Sequence, residues 1–272
     1  NDKVSFDTFL VNFNTSYNSS KFGVTTVYIN YRDVNYSFEN LADTNNDYFY
    51  ESIIDENISI GLDYIFEKDK YSLDFQYESV LSGEVEGSML KAGLLLNINS
   101  DSNIKLSYSK TDNSPDYNHL INNSSYSNYN WNNIFNNINT TRYIVNFKSD
   151  KLFKLKFEFN KISNYTYFSK DVNGFVVPTQ ESSNIGMFKM NISKKLSFKK
   201  FAIDNAFQFQ RVGDESLGVI NIPEFILRNT FYYQNELFNK ALFLQTGFTF
   251  NYFSNFYMNG YDPLLSEFYV QS

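Results

Sequence analysis

Ile58-Ser-Ile-Gly-Leu-Asp-Tyr-Ile-Phe66, followed after Lys68-Asp-Lys70 by Tyr71-Ser-Leu-Asp-Phe-Gln-Tyr-Glu78, is the stretch that decides the fold. Ile58, Ile60, Leu62, Tyr64 and Phe66 alternate with Ser59, Gly61, Asp63 and Glu67. A period of two puts the apolar side chains on one face of a strand and the polar ones on the other. Three turn residues then return the chain into a second strand of the same kind, so the pair reads as a hairpin.

The same rhythm extends in both directions. Strands are expected over 3–14, 22–33, 57–67, 71–81, 142–149, 152–165, 225–235 and 240–254. Others run through Leu90–Ile98, Ile104–Tyr108, Phe188–Ile192 and Phe201–Gln210. That makes about twelve strands, and 266–272 reads as the start of one more. Short turns fall near 18, 69, 101, 150, 197 and 237. Long polar connections fall between them, at 34–56, 111–141, 166–183, 212–223 and 255–265; the 82–88 loop is the one short exception. Strict alternation of short and long connections is the signature of a transmembrane antiparallel up-and-down β-barrel. A soluble β-sandwich would show the same period but has no reason to sort its connections into two sets.

Composition points the same way. Phe, Tyr and Trp make up 19% of the 272 residues, yet mean hydropathy is −0.40. A soluble domain would need a thick core to hide 29 Phe and 22 Tyr, whereas a barrel turns them to lipid and to the interfacial girdles. No run of about 18 apolar residues is present, so no helix of this sequence crosses a membrane. The chain lacks cysteine and has one histidine, which excludes disulfides and Cys/His zinc sites. A net charge of −7 argues against nucleic acid as a partner.

In a barrel the apolar face meets lipid and the charged face lines the lumen, because a Lys or Arg at mid-depth on the lipid side costs about 2–4 kcal/mol. The lumen-lining residues expected on this basis are Asp63, Asp74, Glu78, Lys91, Lys105, Lys154, Lys156, Glu158, Lys189, Asp204 and Arg228. Unpaired backbone in hydrocarbon costs several kcal/mol per group, so the sheet must close. Chains of this pattern with an odd or open strand count are incomplete; 14–16 strands or more are expected in the full protein, with the missing ones beyond the C-terminus and also before Asn1.

From Lys200 onward the sequence resembles an outer-membrane β-barrel porin family of Bacteroidota, the flavobacterial type above all. The residues that carry the likeness are Lys200-Phe-Ala-Ile-Asp-Asn205, Ile222-Pro-Glu-Phe225, Arg228-Asn-Thr-Phe-Tyr-Tyr-Gln234 and Lys240-Ala-Leu-Phe-Leu-Gln-Thr-Gly247. Tyr261-Asp-Pro-Leu-Leu-Ser-Glu-Phe-Tyr-Val-Gln271 continues it, and Asn164-Tyr-Thr-Tyr167 is a shorter match. The likeness is strong over about a quarter of the chain and elsewhere extends only to pattern and composition. It implies a bacterial outer-membrane location, passive diffusion of small hydrophilic solutes, no enzymatic activity and no cofactor. Outer-membrane lipid and lipopolysaccharide would surround it, with other outer-membrane proteins as further partners. The alternative is a structural or accessory barrel subunit with an occluded lumen. With net charge −7 an open pore is expected to prefer cations mildly.

The remaining motifs carry less. Asp43-Thr-Asn45-Asn-Asp47 opens like a calcium loop, but Tyr48 stands where Gly is required and Ile54 where the bidentate Glu belongs. His119 has no partner set that would make it a base or ligand. Trp131, Tyr126 and Tyr129 are read as folding the 111–141 loop at the barrel mouth, with a glycan-stacking surface as the alternative. Lys195, Lys199 and Lys200 mark a turn that could meet anionic headgroups.

Overall fold

A computed structural model describes residues 3–39, 52–213 and 218–271. The Asp43–Asp47 motif lies outside these residues. Twelve strands form one antiparallel sheet in simple chain order. They are β1 (Lys3–Ser19), β2 (Gly23–Glu39), β3 (Ser52–Lys68), β4 (Tyr71–Ser82), β5 (Gly87–Asn99) and β6 (Ser102–Asn113). The loop that follows holds a helical turn α1 (Tyr117–Leu120) and the hairpin β7 (Ile121–Asn122) and β8 (Trp131–Asn132). The sheet resumes with β9 (Ile138–Ser149) and β10 (Lys154–Ser163), then leaves for the hairpin β11 (Thr166–Lys170) and β12 (Val176–Gln180). It closes its run with β13 (Ile185–Phe198), β14 (Phe201–Val212), β15 (Phe225–Leu237) and β16 (Leu242–Phe253). Two short strands follow, β17 (Gly260–Asp262) and β18 (Glu267–Val270). Among the described residues β1 and β16 do not pair, so the sheet is open.

The first two strands run beyond the apolar pattern that announces them. β1 extends to Ser19 and β2 to Glu39, well past the expected 14 and 33. Polar side chains hold this length together: Asn12 Nδ2 donates to Asn30 Oδ1 at 2.6 Å, and the Ser16 and Thr26 hydroxyls lie 2.7 Å apart. Cross-strand hydrogen bonds of this kind extend a ladder where hydrophobic alternation has stopped.

Burial is inverted relative to a water-soluble sheet. On the aromatic face Phe13 is 74% exposed, Phe248 67% and Phe250 54%. On the opposite face Asn160 is 1% exposed and Glu158 6%. The outward face of β4, β5, β9, β15 and β16 carries no charged residue. Such an apolar belt cannot face water over this extent, and it matches the lipid-facing band of a membrane barrel.

Segment 267–270, expected to open a further spanning strand, joins a different layer. β18 pairs in parallel with β11 (Phe168↔Tyr269) and antiparallel with β17, giving a four-stranded sheet ordered β12-β11-β18-β17. The loop stretches 111–141 and 166–183 therefore contain ordered structure of their own, at the end of the sheet opposite the short turns.

Candidate functional site

The polar face is built by register. In an antiparallel ladder directly paired residues share a face. Pairs such as Asp63↔Gln76, Gln76↔Lys91, Lys105↔Asn146, Lys156↔Asn191, Glu158↔Lys189 and Ala206↔Arg228 chain strand to strand. All eleven charged residues singled out in the sequence stand on this one face. Arg32, Asp55, Glu67, Arg142, Lys148, Lys195 and Glu236 share it; the same parity would have found Asp55, Glu67, Lys195 and Glu236, each an even number of residues from a named position on its own strand, whereas Arg32 on β2 and Arg142 and Lys148 on β9 are placed only by the pairing with neighbouring strands.

Two hydrogen-bonded groups organise the face. In the first, Glu78 Oε1 accepts from Ser59 Oγ at 2.7 Å and Asn30 Nδ2 at 3.0 Å, and Glu78 Oε2 accepts from the Tyr28 hydroxyl at 3.2 Å. Tyr28 packs over Gly61, where any Cβ would enter its ring, so glycine is required by this close approach. In the second, Glu158 binds Lys156 Nζ at 2.7 Å and Arg142 Nε at 3.3 Å, and Asn160 Nδ2 donates to its Oε1 at 3.1 Å. Glu158 is nearly enclosed, and a charge so enclosed is stable only when paired and hydrogen-bonded.

The end of the sheet away from the short turns is narrowed by loops that bend over the polar face. Tyr117 of α1 stacks on Tyr36 (5.5 Å between centroids) and lies 5.9 Å from Phe6, both on the polar side. The 83–86 turn is drawn in by Asp55, whose Oδ1 accepts the Glu84 N–H at 2.7 Å. Between these elements a cavity of about 530 Å³ is lined by Asn30, Arg32, Ser59, Glu78 and Tyr117.

The loops are tied to one another as well. Asn118 Nδ2 donates to Glu267 Oε1 at 2.6 Å, and the Tyr129 hydroxyl to Asp262 Oδ2 at 3.1 Å. Trp131 Nε1 donates to the Asn118 carbonyl at 3.0 Å, so Trp131 organises the loop. His119 stacks on Phe168 with centroids 4.5 Å apart and its Nδ1 has no hydrogen-bond partner. Burial lowers the His119 pKa below its ordinary value of 6.5, with Asp116 opposing. Burial raises Glu267 above 4.5; the Asn118 hydrogen bond opposes this and nearby Asp116 adds to it. These carboxylate and imidazole positions came from no sequence signal, because their partners are remote in the chain. Among the described residues no group of three or more His, Asp or Glu is placed to hold a metal ion.

With a lipid-type belt on one face, a polar opposite face and a loop layer over one end, the arrangement is that of a membrane β-barrel wall. The sequence profile of the family described as "Putative porin" matches residues 1–272. The chain belongs to this family. No curated protein matches this porin-family chain. Among solved structures, the siderophore receptor PirA from Acinetobacter baumannii is similar with a TM-score of 0.60 at 11% identity, over 85% of this chain and 40% of that one. The ferric preacinetobactin receptor BauA, also from Acinetobacter baumannii, gives 0.55 at 13% identity, over 98% and 46%. The alcaligin outer-membrane receptor FauA from Bordetella pertussis gives 0.53 at 13%, over 93% and 46%. At such identities the likeness is one of fold, that of an outer-membrane β-barrel. The porin-family chain spans less than half the length of these solved structures.

Proposed function

We propose that this chain forms part of an outer-membrane pore that passes small hydrophilic solutes passively, with the eleven polar-face residues lining its lumen. One observation carries the reading: the aromatic face is exposed while Glu158 and Asn160 are enclosed. That order fits a wall with lipid on one side and a narrow aqueous path on the other. The path would run along the sheet from the loop layer to the short turns, and the loops would set the size limit. The experiment is planar-bilayer conductance of the full-length protein. Stepwise currents are the expected result, and silence across independent preparations would overturn it.

A second reading has its own support. The four-stranded layer and α1 fold over the polar face and fill part of the mouth, as they would in an accessory barrel with an occluded lumen. Deleting 117–132 separates the two. A pore gains conductance, whereas an occluded subunit stays silent in the intact form and conducts only after deletion.

A further inference from the structure

Charge on the polar face is sorted by strand. On β3 and β4 it is acidic throughout: Asp55, Asp63, Glu67, Asp74 and Glu78, with no cation. On β5, β6, β9, β10 and β13 the order reverses, and Glu158 is the only carboxylate of that face. Both of its oxygens are already engaged by Lys156 and Arg142.

The cations form successive rows across the strands. Starting from the loop end, Lys91 and Arg142 share a row through Ser109. Lys189 stands beside Glu158 in the next. Lys105 and Lys156 flank Asn146 in the third. Lys148 and Lys154 pair directly in the fourth, which continues through Ser193 and Ala206 to Arg228. Lys195 stands opposite Asp204 in the last. Rows two residues apart along a strand are roughly 7 Å apart. That is within a Debye length of about 8 Å at physiological ionic strength, so the field of one row reaches the next.

The fourth row is the informative one. Like charges directly opposite each other destabilise a ladder, and Lys148 faces Lys154 with no carboxylate in their row. Among the described residues Lys91, Lys148, Lys154, Lys189 and Arg228 form no ion pair. Two cavities open at this row, one of about 550 Å³ lined by Lys154, Lys195 and Arg228 together with the carboxylates Asp150 and Asp204, the other of about 390 Å³ lined by Lys105, Lys148, Lys154 and Lys156. The sheet thus keeps a repulsive pair at a place where space for an anion is available.

We propose that these rows form an anion track, and that the solutes this wall favours are small hydrophilic molecules bearing carboxylate or phosphate groups. The track deepens the pore reading and rests on it. It reverses the mild cation preference expected from the net charge, because that sum counts loops and turns, whereas the charged residues named on the polar face are ten cations against eight carboxylates, with eight of the cations gathered on β5, β6, β9, β10 and β13. Selectivity follows from the charges along the path, not from the total.

The test uses full-length protein in planar bilayers under a tenfold KCl gradient. The chloride-to-potassium permeability ratio is expected above one. It should fall by about threefold or more in Lys148→Gln/Lys154→Gln/Arg228→Gln, and the Lys148→Arg/Lys154→Arg pair should restore the preference. Proteoliposome swelling in inorganic phosphate should slow in the Gln variant relative to a neutral sugar. A conducting wild type with a ratio below one would overturn the track while leaving the pore intact. So would a ratio unmoved in a Gln variant that still shows the heat-shifted gel band of a folded barrel. Silence of every form would overturn the pore instead; citrate binding by calorimetry then decides the track, which stands if binding is lost in the Gln variant and falls if the wild type binds none.

Discussion

The sheet and the loop layer obey opposite burial rules within one chain. In the loop layer Phe168 is 4% exposed, Val176 2% and Ile121 5%, an apolar centre of the kind a water-soluble fold builds. In the sheet Phe13, Phe248 and Phe250 stand outside while Asn160 and Glu158 are enclosed. The difference lies in the solvent, since the amino-acid types are the same. Where lipid surrounds the chain, apolar burial gains nothing from water and the backbone ladder must carry stability. Where water surrounds it, the hydrophobic effect assembles a small conventional core.

The largest expected effect comes from breaking that small core. Phe168→Ala should cost about 3–5 kcal/mol of loop-layer stability. Hydrogen exchange should rise over 117–132, 166–180 and 260–270 with the sheet amides unchanged; loss of protection in β9 or β10 would show that the two regions are one cooperative unit. Next comes a test across a single peptide bond. Phe248→Lys on the aromatic face should cost about 2–4 kcal/mol in folding into vesicles. Thr249→Lys, one residue on and on the polar face, should change it by less than about 0.5 kcal/mol. Equal costs would mean that the two faces do not meet different solvents.

A smaller effect is pH-dependent and confined to the loop layer. His119 has a lowered pKa, so its contribution is complete above 6.5 and fades as pH falls through the lowered value. Glu267 has a raised pKa, so its contribution is complete below 4.5 and fades as pH rises through the raised value. The two contributions therefore weaken in opposite directions, that of His119 toward acid and that of Glu267 toward alkali. His119→Phe should remove the loosening on the acid side, and Glu267→Gln the loosening on the alkaline side, both read by exchange over 117–132. Last, Asn12→Ala should lower sheet stability by about 0.5–1.5 kcal/mol through loss of its two exposed hydrogen bonds, to Asn30 and from Asn14, measured by urea titration in vesicles.

The sheet was legible because a wall with lipid on one side and water on the other imposes strict parity. Leu155, Phe157 and Phe159 against Lys154, Lys156 and Glu158 can be read without any partner strand. Strand ends were less legible: past Phe13 the pattern of β1 turns polar, and only the pairing with Asn30 and Thr26 shows that the strand continues. The loop layer was not legible at all. Its strands are two to five residues long, too short for a period to register. Its anchors join remote positions, Asn118 to Glu267 and Tyr129 to Asp262. Segment 267–270 looks like any other strand start until its parallel partner Phe168–Ser169 is known.

That parallel seam also fixes an order of events. Between Phe168 and Tyr269 the chain must lay down β13, β14, β15 and β16. Contacts of such long sequence separation form late, because the intervening chain has to be placed before its ends can meet. The seam over the mouth therefore forms only after the four wall strands between its two halves are in place.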